Sequence, residues 1–505
     1  GNYNTAMGRD AGRLITTGSN NICIGNNAGD ASNTNFVIAM GSFAASTCSV
    51  DGAVAIGHFA ARSLTTGAKT TAIGYYALDQ CQGGQNNTAL GYEALMSVQN
   101  DGHHNTAIGA DSLRAATSAR SNTGVGDGTM RTLTTGDQNI AMGHNAMYNA
   151  TTATQNTVIG AGQVGSNVAA GYNITTGNQN TLVGASAGTS ITTASYNTAI
   201  GYQAGYSDST ASQNTFIGYR AGRDCNSSDV CYVGYDSGYQ ATGNSNTCLG
   251  HRTMDASGCT GSQNTAIGRE ALGGLTTGTE NVALGYLAGH DVTTGGYNTL
   301  LGTNTARILT TGQTNTIVGR DCAQALTTGS GNVFLGYKAG SNIDTDDNQL
   351  YIARSNTSYS NNATWIYGDT NGNCYMGANH TTWRTTSDRR LKKNIVDSLK
   401  GLAEINQLRV ANFEYKTEDE IDMSEFPSAN GAEAVVIGKG SEGQVQTGII
   451  AQEVELVLPE CVKTGHDGVK TVDSDPITWA LVKAIQELSA KNDALEARIV
   501  TLEGS

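Results

Sequence analysis

Ser387 stands five residues before Lys392, inside the run Thr385-Thr386-Ser387-Asp388-Arg389-Arg390-Leu391-Lys392-Lys393-Asn394-Ile395. A hydroxyl is a poor nucleophile near neutral pH and needs an adjacent base; an amine serves when burial or neighbouring cations keep it neutral. Arg389, Arg390 and Lys393 are the cations at hand. By spacing alone the pair reads equally as a capping serine before a solvated basic turn. The rest of the chain offers thinner chemistry. Cleavage of a sugar bond needs two converging carboxylates, whereas the acidic residues before position 340 are sparse and out of phase with the repeat described next. Asp344, Asp346 and Asp347 lack the glycine and distal glutamate of a calcium loop and read as a solvated turn. The ten cysteines form no C-x-x-C pair. Cys225 and Cys231 are the only close pair in the repeat region, and a structural role is expected for all ten. Neither a metal nor a cofactor is expected.

The elements that carry these residues follow from a period. Glycine recurs at Gly8, Gly25, Gly41, Gly57, Gly74, Gly91, Gly109, Gly126, Gly143, Gly160, Gly184, Gly201 and onward to Gly336, twenty marks spaced 16 to 18 residues apart except between Gly160 and Gly184. Ile, Leu, Val or Met precedes every mark, and Asn lies four residues before sixteen of them. A unit of this size has no core of its own and must stack on its neighbours. Seventeen residues cannot hold two helices with their loops, but two short strands and two tight turns fit, so a parallel β-solenoid is expected. The first strand is N-T-A-I-G, whose alternation puts Thr and the aliphatic residue on one face; that aliphatic is expected to be buried in the stack. The second is expected near the recurrent Leu-Thr-Thr-Gly, as at Leu133 to Gly136 and Leu309 to Gly312. Tyr follows the marker glycine at Tyr75, Tyr92, Tyr202, Tyr219, Tyr235, Tyr286 and Tyr337. Such a column either steadies adjacent coils or stacks on the sugar rings of a receptor polysaccharide.

Composition divides the chain. Residues 387–505 hold 34 of the 72 charged residues and only 9 of the 65 glycines. We therefore read a β-solenoid rod over 1–340, a tapering β neck over 341–386 and a globular α+β domain over 387–505, ending in a coiled-coil helix at about 477–503. A net charge of −14 argues against nucleic-acid binding. No run of 18 apolar residues appears, so no membrane insertion is expected. The chain opens inside a repeat without an initiator methionine, so further sequence is expected upstream.

The boundary run closely resembles the entry motif of the endosialidase-type intramolecular chaperones that end many phage tail spikes and fibres. Leu402-Ala403-Glu404-Ile405-Asn406-Gln407-Leu408, Phe413-Glu414-Tyr415-Lys416, Gly448-Ile449-Ile450-Ala451-Gln452-Glu453-Val454 with Leu458-Pro459-Glu460, and the helix Leu481 to Leu488 match that family in order and spacing. Ser474-Asp475-Pro476 departs from it, standing where members often carry Tyr-x-x-Leu. The resemblance implies self-cleavage between Thr386 and Ser387, with Ser387 as nucleophile, Lys392 as base and no turnover of an external substrate. It also implies a homotrimer. The repeats resemble, more loosely, the β-roll heads of trimeric bacterial adhesins.

The last helix points to an oligomer by itself. Leu481, Leu488, Leu495 and Leu502 fall seven apart, with Ile485, Asn492 and Ile499 between them, which is a coiled-coil seam. A buried Asn among Ile and Leu favours two strands by peptide rules; the resemblance implies three, and three is the number adopted. The expected protein is a phage tail fibre that is assembled in the bacterial cytoplasm, resides in the virion, binds a host-surface polysaccharide or other receptor, and joins an upstream virion attachment protein. A bacterial trimeric surface adhesin and a capsule depolymerase are the alternatives.

Overall fold

The computed structural model describes residues 1–504 except 31–32, 100, 163–167, 354–363, 371–373, 377–388, 390–391, 428–444 and 466–467. It contains two compact units, Gly1–Thr381 and Thr382–Ser505.

In the first unit twenty three-residue strands, β1 (Thr5–Met7) to β20 (Val333–Leu335), run parallel, one per coil. Register is unbroken. Thr198, Ala199 and Ile200 pair with Thr181, Leu182 and Val183 on one side and with Thr215, Phe216 and Ile217 on the other. The long step after Gly160 leaves the ladder intact, since Thr157–Ile159 still pairs with Thr181–Val183. β21 (Leu350–Ala353) continues the parallel stack, but β22 (Thr364–Gly368) and β23 (Cys374–Met376) run antiparallel and end it.

Two expectations are corrected. Each coil has one strand, not two: the Leu-Thr-Thr-Gly segments form turns. They still bond from coil to coil, with the Thr276 amide on the Thr293 carbonyl and the Thr293 amide on the Thr310 carbonyl, both 2.9 Å. The inward face is also the opposite one. From β2 (Ile22–Ile24) onward the strand's central residue is buried, as Ala199, Phe216 and Tyr232 are, while the flanking Thr and aliphatic residue face out. Ile200 is 38% exposed. Alternation shows which residues share a face, but not which face is inside.

The buried asparagines explain the choice. The Asn122 Nδ2 donates to Asn105 Oδ1 (3.1 Å) and to the Gly136 carbonyl (2.8 Å), while its Oδ1 accepts from the Asn139 amide and Nδ2, both at 2.9 Å. Every hydrogen-bonding capacity of the amide is met by the coils on either side, which makes burial affordable. Asn and the central residue are two apart, so they point to the same side. Volume is then shared within the core. Ala72 is matched with Leu78, Ala107 with Leu113 and Gly124 with Met130, whereas Phe216, Tyr232 and Phe334 are matched with Gly222, Gly238 and Gly340. A Cβ on Gly222 would lie 2.3 Å from Phe216 and one on Gly238 2.4 Å from Tyr232.

The second unit contains α1 (Leu402–Ile405), β24 (Ala411–Phe413) paired with β25 (Gln446–Gly448), α2 (Ala451–Val457), the hairpin β26 (Val462–Thr464) and β27 (Lys470–Val472), and α3 (Ser474–Glu503). Asp473 caps α3 by accepting from the Asp475 amide at 3.1 Å. No helix among the described residues is long and apolar enough to cross a membrane.

Two stability predictions follow from the core. Gly201 has φ 137°, and a Cβ there would sit 2.2 Å from the Gly218 carbonyl oxygen, while Gly258 (φ 76°) faces open space. Gly201→Ala should cost more than about 2 kcal/mol per chain and Gly258→Ala about 1, because the first adds a backbone clash to the conformational strain; thermal denaturation of the pair checks this. Asp208, wholly buried where other coils carry an apolar residue or cysteine such as Leu133, Ile191 or Cys225, accepts from Asn214 Nδ2 (3.1 Å) and from the Ala211 amide (3.2 Å), yet burial raises its pKa from 3.8 to about 7. Between those values the unfolded chain holds fewer protons than the folded one, so stability should fall as pH rises from about 4 to about 7 and then level. Asp208→Asn should shrink that slope in melting curves taken across the window.

Candidate functional site

Thr386 and Ser387 lie outside the described residues, as do Arg390 and Leu391. Lys392 is described and exposed; its amide donates to the Arg389 carbonyl at 3.2 Å, and Asn394 has a left-handed conformation (φ 54°). Val396 and Leu399 are 85% and 92% exposed, so the segment after Lys392 makes little use of its apolar side chains within this chain.

The motifs singled out in the C-terminal domain converge downstream of that segment. Val454, Leu458, Cys461 and Ile477 form its core, with Ile405, Leu408, Ile449 and Val457 packed around them. The Leu402 amide donates to Glu487 of α3 (3.1 Å), and Arg409 pairs with Glu453 through Nε at 3.1 Å. Lys470 pairs with Glu455. The core is small, and apolar side chains remain outside it: Leu456, Trp479 and the α3 residues Leu481, Ile485, Leu488, Leu495, Ile499 and Leu502 are all exposed, as is Asn492. Ala480 and Ala484, on the adjoining face of α3, are buried. The heptad seam is therefore an exposed apolar stripe on a thirty-residue helix.

On the rod, the column after the marker glycine separates into groups. Tyr202, Tyr219 and Tyr235 stack in sequence with His251, ring centroids 5.3, 5.0 and 5.0 Å apart. Tyr75 stacks on Tyr92 at 5.8 Å. Tyr286 and Tyr337 lie instead beside the guanidinium groups of Arg269 and Arg320, at 5.7 and 5.9 Å. The Arg220 guanidinium, held by Asp236 at 2.8 and 2.7 Å, covers the rings of Tyr219 and Tyr239. Arg220, Asp236 and Tyr239, with Tyr235, His251 and Arg252, line a recess of about 610 Å³. Reading tyrosines alone missed His251, although it occupies the same position after Gly250, and also missed the neighbouring column of Phe43, Phe59 and Tyr76, stacked at 5.2 and 5.1 Å.

The remaining candidates have structural partners. Asp344 Oδ1 accepts from the Thr327 hydroxyl (3.0 Å) and Asp347 Oδ1 from the Ser330 amide (2.6 Å), each carboxylate tying its turn to the preceding coil. Among the described residues no group of three or more His, Cys, Asp or Glu is placed to hold a metal ion. Cys225 is buried, which pushes its thiol up to about 12, and it forms no disulfide with Cys231.

The family model described as chaperone of endosialidase matches residues 387–463, beginning on Ser387 and running through α1, α2 and into β26. A domain of this kind indicates trimeric tail-spike or fibre assembly with self-cleavage. Residues 387–463 are thus a chaperone-of-endosialidase domain carried behind a β-solenoid of twenty coils of about seventeen residues, an organisation consistent with a phage tail fibre or spike.

Proposed function

We propose that the chain is a homotrimeric phage tail-fibre protein whose rod binds a host-surface receptor. Its C-terminal domain brings three chains into register and then cuts itself off between Thr386 and Ser387. The observation that carries the reading is the start of the chaperone match on Ser387, where glycine falls, charge rises and the repeat has ended. In the proposed step the Ser387 Oγ attacks the Thr386 carbonyl while the Lys392 amine takes the hydroxyl proton. That proton passes to the Ser387 nitrogen as the peptide bond breaks, leaving an ester that water hydrolyses to the Thr386 carboxylate and the restored hydroxyl. The α3 seam supplies the coiled coil of the trimer, and the upstream end of the rod joins the virion.

Chaperoning answers a physical need. Parallel pairings between distant coils repay their ordering cost late, and near-identical coils can pair one step out of register at little cost. After cleavage the rod cannot refold by the same route, so a high unfolding barrier protects it.

Receptor binding is assigned to the tyrosine column, with the Tyr202–Tyr219–Tyr235–His251 stack as its centre because its ring edges and phenol hydroxyls, beside the fixed Arg220–Asp236 pair, offer a sugar both apolar and hydrogen-bonding contact. Tyr75, Tyr92, Tyr286 and Tyr337 are subsidiary positions.

Assembled wild-type protein should resolve on a denaturing gel into pieces of 386 and 119 residues. Ser387→Ala and Lys392→Ala should each assemble yet stay full length, and deletion of 387–505 from the gene should leave aggregated or monomeric rod. An intact assembled wild type would overturn the cleavage, and a soluble trimer of 1–386 would overturn the chaperone role. For the receptor face, Tyr219→Ala should weaken binding to host-surface polysaccharide by up to about tenfold at an unchanged melting temperature. A lower melting temperature with full binding would make the stack purely structural.

A further inference from the structure

We propose that the outward face of the solenoid sheet is where three copies of the chain pack against one another, each coil level with its counterparts around an axis parallel to the stack. The inference rests on the homotrimeric reading above and adds to it the surface, the register and the symmetry.

Two columns make the face. The residue before each marker glycine is Ile, Leu, Val or Met in all twenty coils, and the residue two before that is Thr, Ile, Val or Cys in all twenty. None of the first column is buried within the chain, and its exposed members between Leu90 and Leu284 range from 36% at Ile108 to 49% at Leu284. A sheet face left to water normally alternates in polar side chains. Here no charged residue enters either column, although the rod has charges and pairs them elsewhere, as Arg62 with Asp79 and Arg220 with Asp236. The apolar stripe amounts to roughly 1,200 Å² per chain, well beyond the few hundred that a solitary protein tolerates and within the range of a stable interface.

The occupant is identified by the repeat. A partner that covers this stripe must present one apolar side chain per coil at the spacing of adjacent parallel strands, over twenty coils, and a second copy of the chain does so without any further adjustment. Cyclic symmetry about an axis parallel to the stack places identical coils at one height, so that Ile200 meets Ile200. The exposed heptad seam on α3 is an independent self-association element at the other end of the same chain. The aliphatic residue expected inside the coil is then buried after all, but between chains.

The test uses the full chain with Cys231→Thr and Cys374→Ser, which removes the half-buried thiol of this face and the exposed one beyond it. Ile200→Cys treated with a short bismaleimide should give a covalent dimer from about two thirds of the chains, the third thiol at each level being left over. Thr193→Cys, exposed in the turn segment, should give none. Co-expressed Ile200→Cys and Ile267→Cys chains carrying tags of different size, whose thiols stand four coils or roughly 19 Å apart in height, should not cross-link to each other. If the Ile200→Cys chain sediments as a trimer, stays uncross-linked and reacts with a bulky maleimide as fast as the Thr193→Cys chain, the face is overturned while the trimer stands. Mixed pairs would overturn the register, and a monomer by sedimentation would overturn both this proposal and the trimeric reading beneath it.

Discussion

A buried asparagine side chain in this rod is complete only when another coil stands in register on each side of it. Asn264 shows the rule: its Nδ2 reaches Asn246 Oδ1 on one side and the Gly278 carbonyl on the other, and its Oδ1 receives the Asn281 amide and Nδ2. A slip of one residue would leave a buried amide unpaired in every coil that carries the asparagine, at about 1–3 kcal/mol each. A slip of a whole coil leaves the bonds in place. The ladder therefore enforces phase within the repeat but is nearly blind to which repeat is which, and this is the difficulty that a separate assembly domain meets.

Local conformation adds to the dependence on neighbours. The coil around Gly201 places Tyr196 (φ 63°), Gln203 (φ 53°) and Gly205 (φ 58°) in the left-handed region. Left-handed backbone at a residue with a side chain costs about 1–2 kcal/mol and persists only where the surroundings determine it. An isolated coil has neither the ladder nor a core to offset that cost. Where the ladder lapses, at Val37, Ala53, Thr70 and Val230, strand pairing continues unbroken, but the buried Thr70 hydroxyl has no hydrogen-bond partner. The asparagines thus supply polar completion and the aliphatic core supplies the bulk of the adhesion.

The two units share one trait: each leaves apolar side chains outside its own core. In the rod these form one uncharged stripe; in the C-terminal unit they are the heptad positions of α3 together with Leu399, Leu456 and Trp479. Their chemistry is otherwise divided. The twenty coils carry their charged groups and exposed aromatic rings between strands, and the serine, lysine and arginines proposed for cleavage are concentrated in the few residues that follow the repeat.

Much of this was legible in the residues alone. The seventeen-residue period, the asparagine column, the glycine corner and the change of composition near position 387 each follow from spacing and residue type, because they express what one coil demands of the next. The motifs around Ile405, Leu408, Val454 and Leu458 were legible as a set by their resemblance to a family. Three things needed the tertiary structure. Alternation in N-T-A-I-G pairs Thr with Ile and Asn with Ala, but the choice of inner face turns on the asparagine being satisfied from both sides, which only the stacked coils reveal. Leu-Thr-Thr-Gly has hydrogen-bond partners in adjacent coils, yet forms turns, since the glycine carbonyl there must point at an asparagine amide. The exchange of volume between Phe216 and Gly222, or between Ala72 and Leu78, joins residues six apart through the interior, and no periodicity of a strand or a helix brings such a pair together.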